Sequence, residues 1–168
     1  MKEYNIVNIL PYKNSLSDFG IVLVNPVQIP PHLAIVIKNV YYDIAVSCVR
    51  QIDWTQVILQ FKNKNTPFIF IKLKESSHKF TTEEVFKEPI SLNNQTCLEP
   101  IKKIIQSAYR INTEDCNVVF DLLDILRENN LIENYSGYLV EKQLLLKRYA
   151  RKDVLAYIKN LKINLSDV

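Results

Sequence analysis

A chain of 168 residues, 48% apolar and 23% charged with a net charge of +3, has the make-up of an ordinary globular domain large enough to bury a core. The charge is too small to argue for a nucleic-acid partner. The scarcity of glycine (Gly20 and Gly137 alone) excludes collagen-like, glycine-linker and most dinucleotide-fingerprint chains.

Residues 4–10 alternate weakly and suit an edge strand or a lead-in, followed by a polar loop over 11–18. Gly20–Asn25 reads as a strand, and three prolines between Pro26 and Pro31 then hold the chain extended without regular pairing. Two β-rich runs follow, Leu33–Ile37 and Val40–Val46, broken at Lys38-Asn39. They predict a central hairpin, although that break lacks the glycine favoured in two-residue turns. The first run is continuously apolar, as in a strand covered on both faces. Turning at Lys38-Asn39 pairs Ile37 with Val40 and His32 with Ala45, which leaves Asp43 diagonal to His32 on the same face.

Asp53–Phe61 has apolar residues at 54, 57, 58 and 61, one face of a helix with Asp53 as its N-cap. Pro67–Leu73 reads as a further strand. Residues 74–94 are polar and ambiguous, with one helical turn expected over Thr82–Lys87. Two helix starts come next. Thr96-Cys97-Leu98-Glu99 fits a capping box, for a helix to about Tyr109. Thr113-Glu114-Asp115-Cys116 begins another, with an apolar face to about Glu128. After a loop through Tyr135-Ser136-Gly137, residues 140–162 suit one or two amphipathic helices. Strands first and helices after predict a single α+β domain over residues 1–168, an antiparallel sheet with a central hairpin packed against C-terminal helices.

No apolar run approaches the roughly 18–20 residues that cross a bilayer, and no secretory signal follows Met1. Three cysteines without metal spacing, Cys48, Cys97 and Cys116, suggest reduced thiols in a cytoplasm. No phosphate loop, HExxH, CxxC or GxSxG occurs, so neither cofactor nor metal is expected.

A histidine and a carboxylate on one face of a core hairpin are two-thirds of the apparatus that activates a nucleophile. Cys116, expected in the first turn of a helix, would face unpaired N–H groups and the positive end of the helix dipole. Glu114 and Asp115 would oppose its ionisation unless turned away. Cys97, directly after its own cap, is a rival, and His78 a second imidazole in a polar stretch.

The stretches His32-Leu33-Ala34-Ile35-Val36-Ile37 and Asp115-Cys116-Asn117-Val118-Val119-Phe120 resemble the histidine strand and the cysteine helix of the circularly permuted papain-like cysteine enzymes, the lecithin–retinol acyltransferase-like group among them. The chain departs from that pattern in having Asp115 where the family often has Asn, and Asp18-Phe19-Gly20 for its Gly-Asp turn. Ser47, further along the face of Asp43, competes with it for the third place. The resemblance implies a thiol hydrolase or acyltransferase in which Cys116 attacks an acyl or peptide carbonyl, His32 takes the proton and Asp43 orients the imidazole.

A different expectation comes from the C-terminal segment, where Lys142, Lys147, Arg148, Arg151, Lys152, Lys159 and Lys162 face Asp153 alone. It would be a non-catalytic domain that binds a protein partner through its basic helix or a sheet edge. The simplest arrangement, however, is a terminal helix docked on the domain with a solvated charged face.

Overall fold

The computed structural model describes residues 3–14, 19–45, 48–76 and 96–166. The turn expected over Thr82–Lys87, together with His78 and Ser47, lies outside them. The architecture is α+β. A seven-stranded sheet has the order β2-β8-β7-β3-β4-β5-β6, built from β2 (Leu10–Pro11), β3 (Phe19–Val24), β4 (His32–Ile37), β5 (Val40–Ala45), β6 (Cys48–Asp53), β7 (Phe68–Leu73) and β8 (Ile132–Tyr138). All its pairings are antiparallel except β2 with β8. A separate pair joins β1 (Glu3–Ile6) to β9 (Leu144–Lys147). The helices are α1 (Trp54–Asn63), α2 (Leu98–Tyr109), α3 (Val119–Glu128) and α4 (Arg151–Ser166). Among the described residues no helix is long and apolar enough to cross a membrane.

The unbroken apolar runs of β3, β4 and β7 follow from burial on both faces. Val22, Val24, Ala34, Val36, Phe68 and Phe70 pack with Trp54, Val57 and Ile58 of α1. Ile21, Leu23, Leu33, Ile35, Ile69 and Ile71 pack on the other side with Leu98, Ile101 and Ile105 of α2, with α3, and with Tyr4 and Leu146 of the small sheet. The hairpin turns where expected, Ile37 opposite Val40. Lys38 and Asn39 both take positive φ, 49° and 65°, the geometry in which a two-residue turn matches strand twist. Asn39 offsets the missing glycine. Its Nδ2 donates to Asp53 Oδ2 at 2.7 Å, and its carbonyl accepts the Trp54 N–H at 2.8 Å, tying the turn to the head of α1. Asp53 caps that helix as expected, accepting the Gln56 N–H at 3.2 Å.

Three expectations are corrected. The segment read as a loop through Tyr135-Ser136-Gly137 is strand β8. Gly137 has no positive φ; it is needed for close approach, because a Cβ there would stand 3.0 Å from the Phe68 carbonyl and collide with Val140. Residues 144–147 form a strand rather than helix, since Leu146 is buried opposite Tyr4 of β1. The third concerns the helix expected from Thr113, which begins only at Val119. The Thr113 hydroxyl is engaged with the Lys102 carbonyl and Gln106, while Asp121 receives the N–H groups of Asn117 and Val118 at 2.8 and 3.1 Å. Cys116 therefore lies in the turn before α3, not in its first turn.

Candidate active site

The β4–β5 register brings His32 and Asp43 together. Ala34 faces Asp43 directly, so His32 is the diagonal neighbour two residues on, and His32 Nε2 lies 2.7 Å from Asp43 Oδ2. Asp43 is buried to the last side-chain atom, whereas the His32 side chain is 38% exposed. A buried carboxylate must find donors, and this one has several. Arg50, its cross-strand partner on β6, donates Nε to Oδ1 at 2.8 Å and Nη2 to Oδ2, and the Tyr41 hydroxyl is 3.4 Å from Oδ2. Burial pushes the Asp43 carboxyl upward, but the hydrogen bonds and charges of His32 and Arg50 outweigh it and hold the group below its ordinary value. The same burial, with the Asp43 charge beside it, raises the Tyr41 phenol well above the ordinary range, so Tyr41 stays a neutral donor.

An ionised carboxylate only accepts hydrogen bonds, so the 2.7 Å contact assigns the proton of neutral His32 to Nε2. Nδ1 then carries the lone pair, and among the described residues it has no hydrogen-bond partner. An imidazole anchored at one nitrogen and free at the other has the form of a general base.

Cys116 is not placed to use it. Its side chain is fully buried among the apolar residues of the α2–α3 side of the sheet, whereas His32 pairs with Val24 and shares the α1-side face with Ala34. Lys102 Nζ donates to the Cys116 carbonyl at 2.8 Å and to that of Glu114 at 3.2 Å, tying down the backbone of that turn. Burial, and then the charge of Asp121, push that thiol up to about 11. The structure joins His32 to Asp43 and separates Cys116 from both.

Cys97 stands closer to the pair. The β4–β5 ladder stops at Ala34 and Asp43, so the Leu33 N–H, which would next meet Ile44, is free of the ladder. The backbone N–H groups of Leu33 and of Cys97 itself favour the thiolate form of Cys97. Cys97, at the head of α2, packs against the same α2–α3-side cluster as Cys116, but near the end of β4 and within range of the Asp43 charge. Thr96 receives the Leu98 N–H at 3.3 Å, and α2 follows at once. Burial pushes the Cys97 thiol up to about 11, the two N–H groups counteract it, and the Asp43 charge adds to the rise. The thiol is accordingly protonated at rest near neutral pH. The capping box expected at Thr96 does not form: Cys97 is the N-cap, with no side-chain cap bond, and the Glu99 N–H goes to the Thr96 carbonyl.

No group of three or more potential metal ligands occurs among the described residues. No family model matches the chain, and no curated protein or solved structure matches it either.

Proposed function

We propose that the chain is a papain-like thiol hydrolase or acyltransferase in which Cys97, rather than Cys116, is the nucleophile. The observation that carries the reading is the anchored imidazole: His32 Nε2 is held by buried Asp43 at 2.7 Å, leaving Nδ1 without a partner among the described residues, and the Asp43 charge also acts on the Cys97 thiol. Because the thiol rests protonated, His32 Nδ1 removes its proton as Sγ attacks the carbonyl carbon. The tetrahedral intermediate collapses, the C–X bond breaks, and the leaving group departs with the proton from Nδ1. A thioester on Cys97 remains. Water, or an alcohol or amine acceptor, then gives its proton to Nδ1, attacks the thioester and regenerates the thiol. The Leu33 and Cys97 N–H groups favour the thiolate as the Cys97 proton leaves.

The test is acylation by p-nitrophenyl acetate of a chain carrying Cys48→Ser, which removes the exposed thiol. One equivalent of p-nitrophenolate per chain should appear as a burst, with the acetyl group on the Cys97 peptide by mass. His32→Ala should abolish the burst. Acetylation of Cys116, or none at either cysteine, would refute the assignment.

A second reading, a protein-interaction domain, is supported by β6. It is the outermost strand at its end of the sheet, and Arg50, Gln51 and Asp53 along it are exposed. Its basic-helix form is weakened because Arg148 is engaged with Asp124 at 2.6 Å and Arg151 with Glu99 at 3.9 Å.

A further inference from the structure

We infer that Arg50 is a positioning residue for His32: acting through Asp43, it holds the imidazole in the form whose Nδ1 can accept a proton. The inference rests on the reading of His32 as a general base, although the protonation state it concerns can be observed without any activity.

Arg50 stands directly opposite Asp43 in the β5–β6 ladder, and its fork spans both carboxylate oxygens, Nε to Oδ1 at 2.8 Å and Nη2 to Oδ2. Such two-point binding fixes the carboxylate plane as well as its charge. His32 Nε2 shares Oδ2 at 2.7 Å, so the imidazole is oriented by a carboxylate that is itself oriented by Arg50. The titratable groups around the pair come from three elements: Tyr41 on β5, Arg50 and Cys48 on β6, and Cys97 at the head of α2.

Without Arg50, a carboxylate with no solvent contact would keep only His32 and the 3.4 Å hydroxyl of Tyr41 as donors. Burial then favours taking up one proton at the pair. It has two sites, Oδ1, which Arg50 has vacated and which is shut off from solvent, and His32 Nδ1 on a side chain 38% exposed; the proton goes to Nδ1, the site that solvent reaches. Whether the proton between Nε2 and Oδ2 stays on nitrogen, giving an imidazolium beside a carboxylate, or moves to oxygen, giving a neutral imidazole beside a neutral acid, Nδ1 is protonated. In either state it has no lone pair for a thiol. Arg50 therefore keeps the site unprotonated through its fork together with its charge: two donors hold both carboxylate oxygens, and the guanidinium stays cationic.

The chain has two histidines, so His78→Gln leaves a single imidazole. In the ¹⁵N-labelled full chain with that substitution, long-range ¹H–¹⁵N spectra at pH 7.5 should show His32 Nδ1 unprotonated and Nε2 protonated. Adding Arg50→Gln should move the Nδ1 resonance to the protonated position. Arg50→Lys, a point charge without the fork, should move it part of the way. An unprotonated Nδ1 in the folded Arg50→Gln chain, or a protonated one with Arg50 present, overturns the inference. Should Arg50→Gln not fold, the lysine variant reads the same nitrogen, and a resonance identical to that of the arginine chain overturns it. Normal Nδ1 behaviour with no acylation of Cys97 would refute the thiol-enzyme reading and leave the role of Arg50 standing.

Discussion

Cys97 and Cys116 are both held by burial at about 11, yet their surroundings give the two thiols different chemistry. Cys116 is enclosed on the α2–α3 side of the sheet by apolar side chains, with Lys102 bound to the carbonyls of its turn rather than to its sulfur. Cys97 packs against the same cluster, but at the head of α2, where the backbone N–H groups of Leu33 and Cys97 favour its thiolate and the Asp43 charge opposes it. Burial suppresses a thiol wherever it occurs. A suppressed thiol becomes usable only where a proton acceptor can reach it, and in the proposed function that part falls to His32 at Cys97.

The largest expected effect is on acyl transfer. Cys97→Ala should abolish covalent acylation, and His32→Ala should slow it by about 10²–10⁴-fold, the range for loss of a general base. Cys116→Ala should leave the rate per folded molecule unchanged. Stopped-flow release of p-nitrophenolate reads all three, and equal losses at the two cysteines would erase the distinction between them.

Next come the supports of the two regions. Ile35, fully buried on the face that Cys116 shares, should cost about 2–5 kcal/mol when replaced by alanine. Urea denaturation measures it, and a loss below about 1 kcal/mol is incompatible with β4 as a buried central strand. At the other site, Asp43→Asn should cost about 1–3 kcal/mol at pH 7, because the charged hydrogen bonds from His32 and Arg50, both partly exposed, lose their carboxylate.

The Asp43 substitution also sharpens the comparison through pH. The folded carboxyl lies below its unfolded value of 3.8, so its contribution is fully present above about pH 4. Below that the unfolded chain binds the proton first, and stability is lost as pH falls toward the folded value. The difference in urea midpoint between the parent and Asp43→Asn should therefore shrink from pH 5 to pH 2.5. A constant difference would mean that Asp43 is not held as a carboxylate.

The smallest effects concern the basic segment beside the Cys116 region. Arg148 pairs with Asp124 at 2.6 Å and stacks over the Tyr4 ring, 5.6 Å from its centroid. Arg148→Glu should cost about 1–2 kcal/mol, whereas exposed Lys147→Glu should stay within about 0.5 kcal/mol. Equal effects in thermal melts would show that Arg148 is only surface charge.

Local pattern alone carried the α+β class, the central hairpin with its register, the first helix with its Asp53 cap, and the His32–Asp43 neighbourhood. Each depends on residues close in the chain: a period of two, a period of 3.6, or a count outward from a turn. Tertiary contacts decided what those counts cannot reach. The run 144–147 is strand because Leu146 finds Tyr4 across the chain, and α3 starts at Val119 because Thr113 is drawn to Lys102 and Gln106. Cys116 had a favourable local setting for a nucleophile, but a sheet has two faces. A residue some seventy positions from a strand carries no local mark of which face it will meet. Arg50 was invisible as a site residue for the same reason: its partner is fixed by the β5–β6 register and by the burial of Asp43, both properties of the assembled sheet.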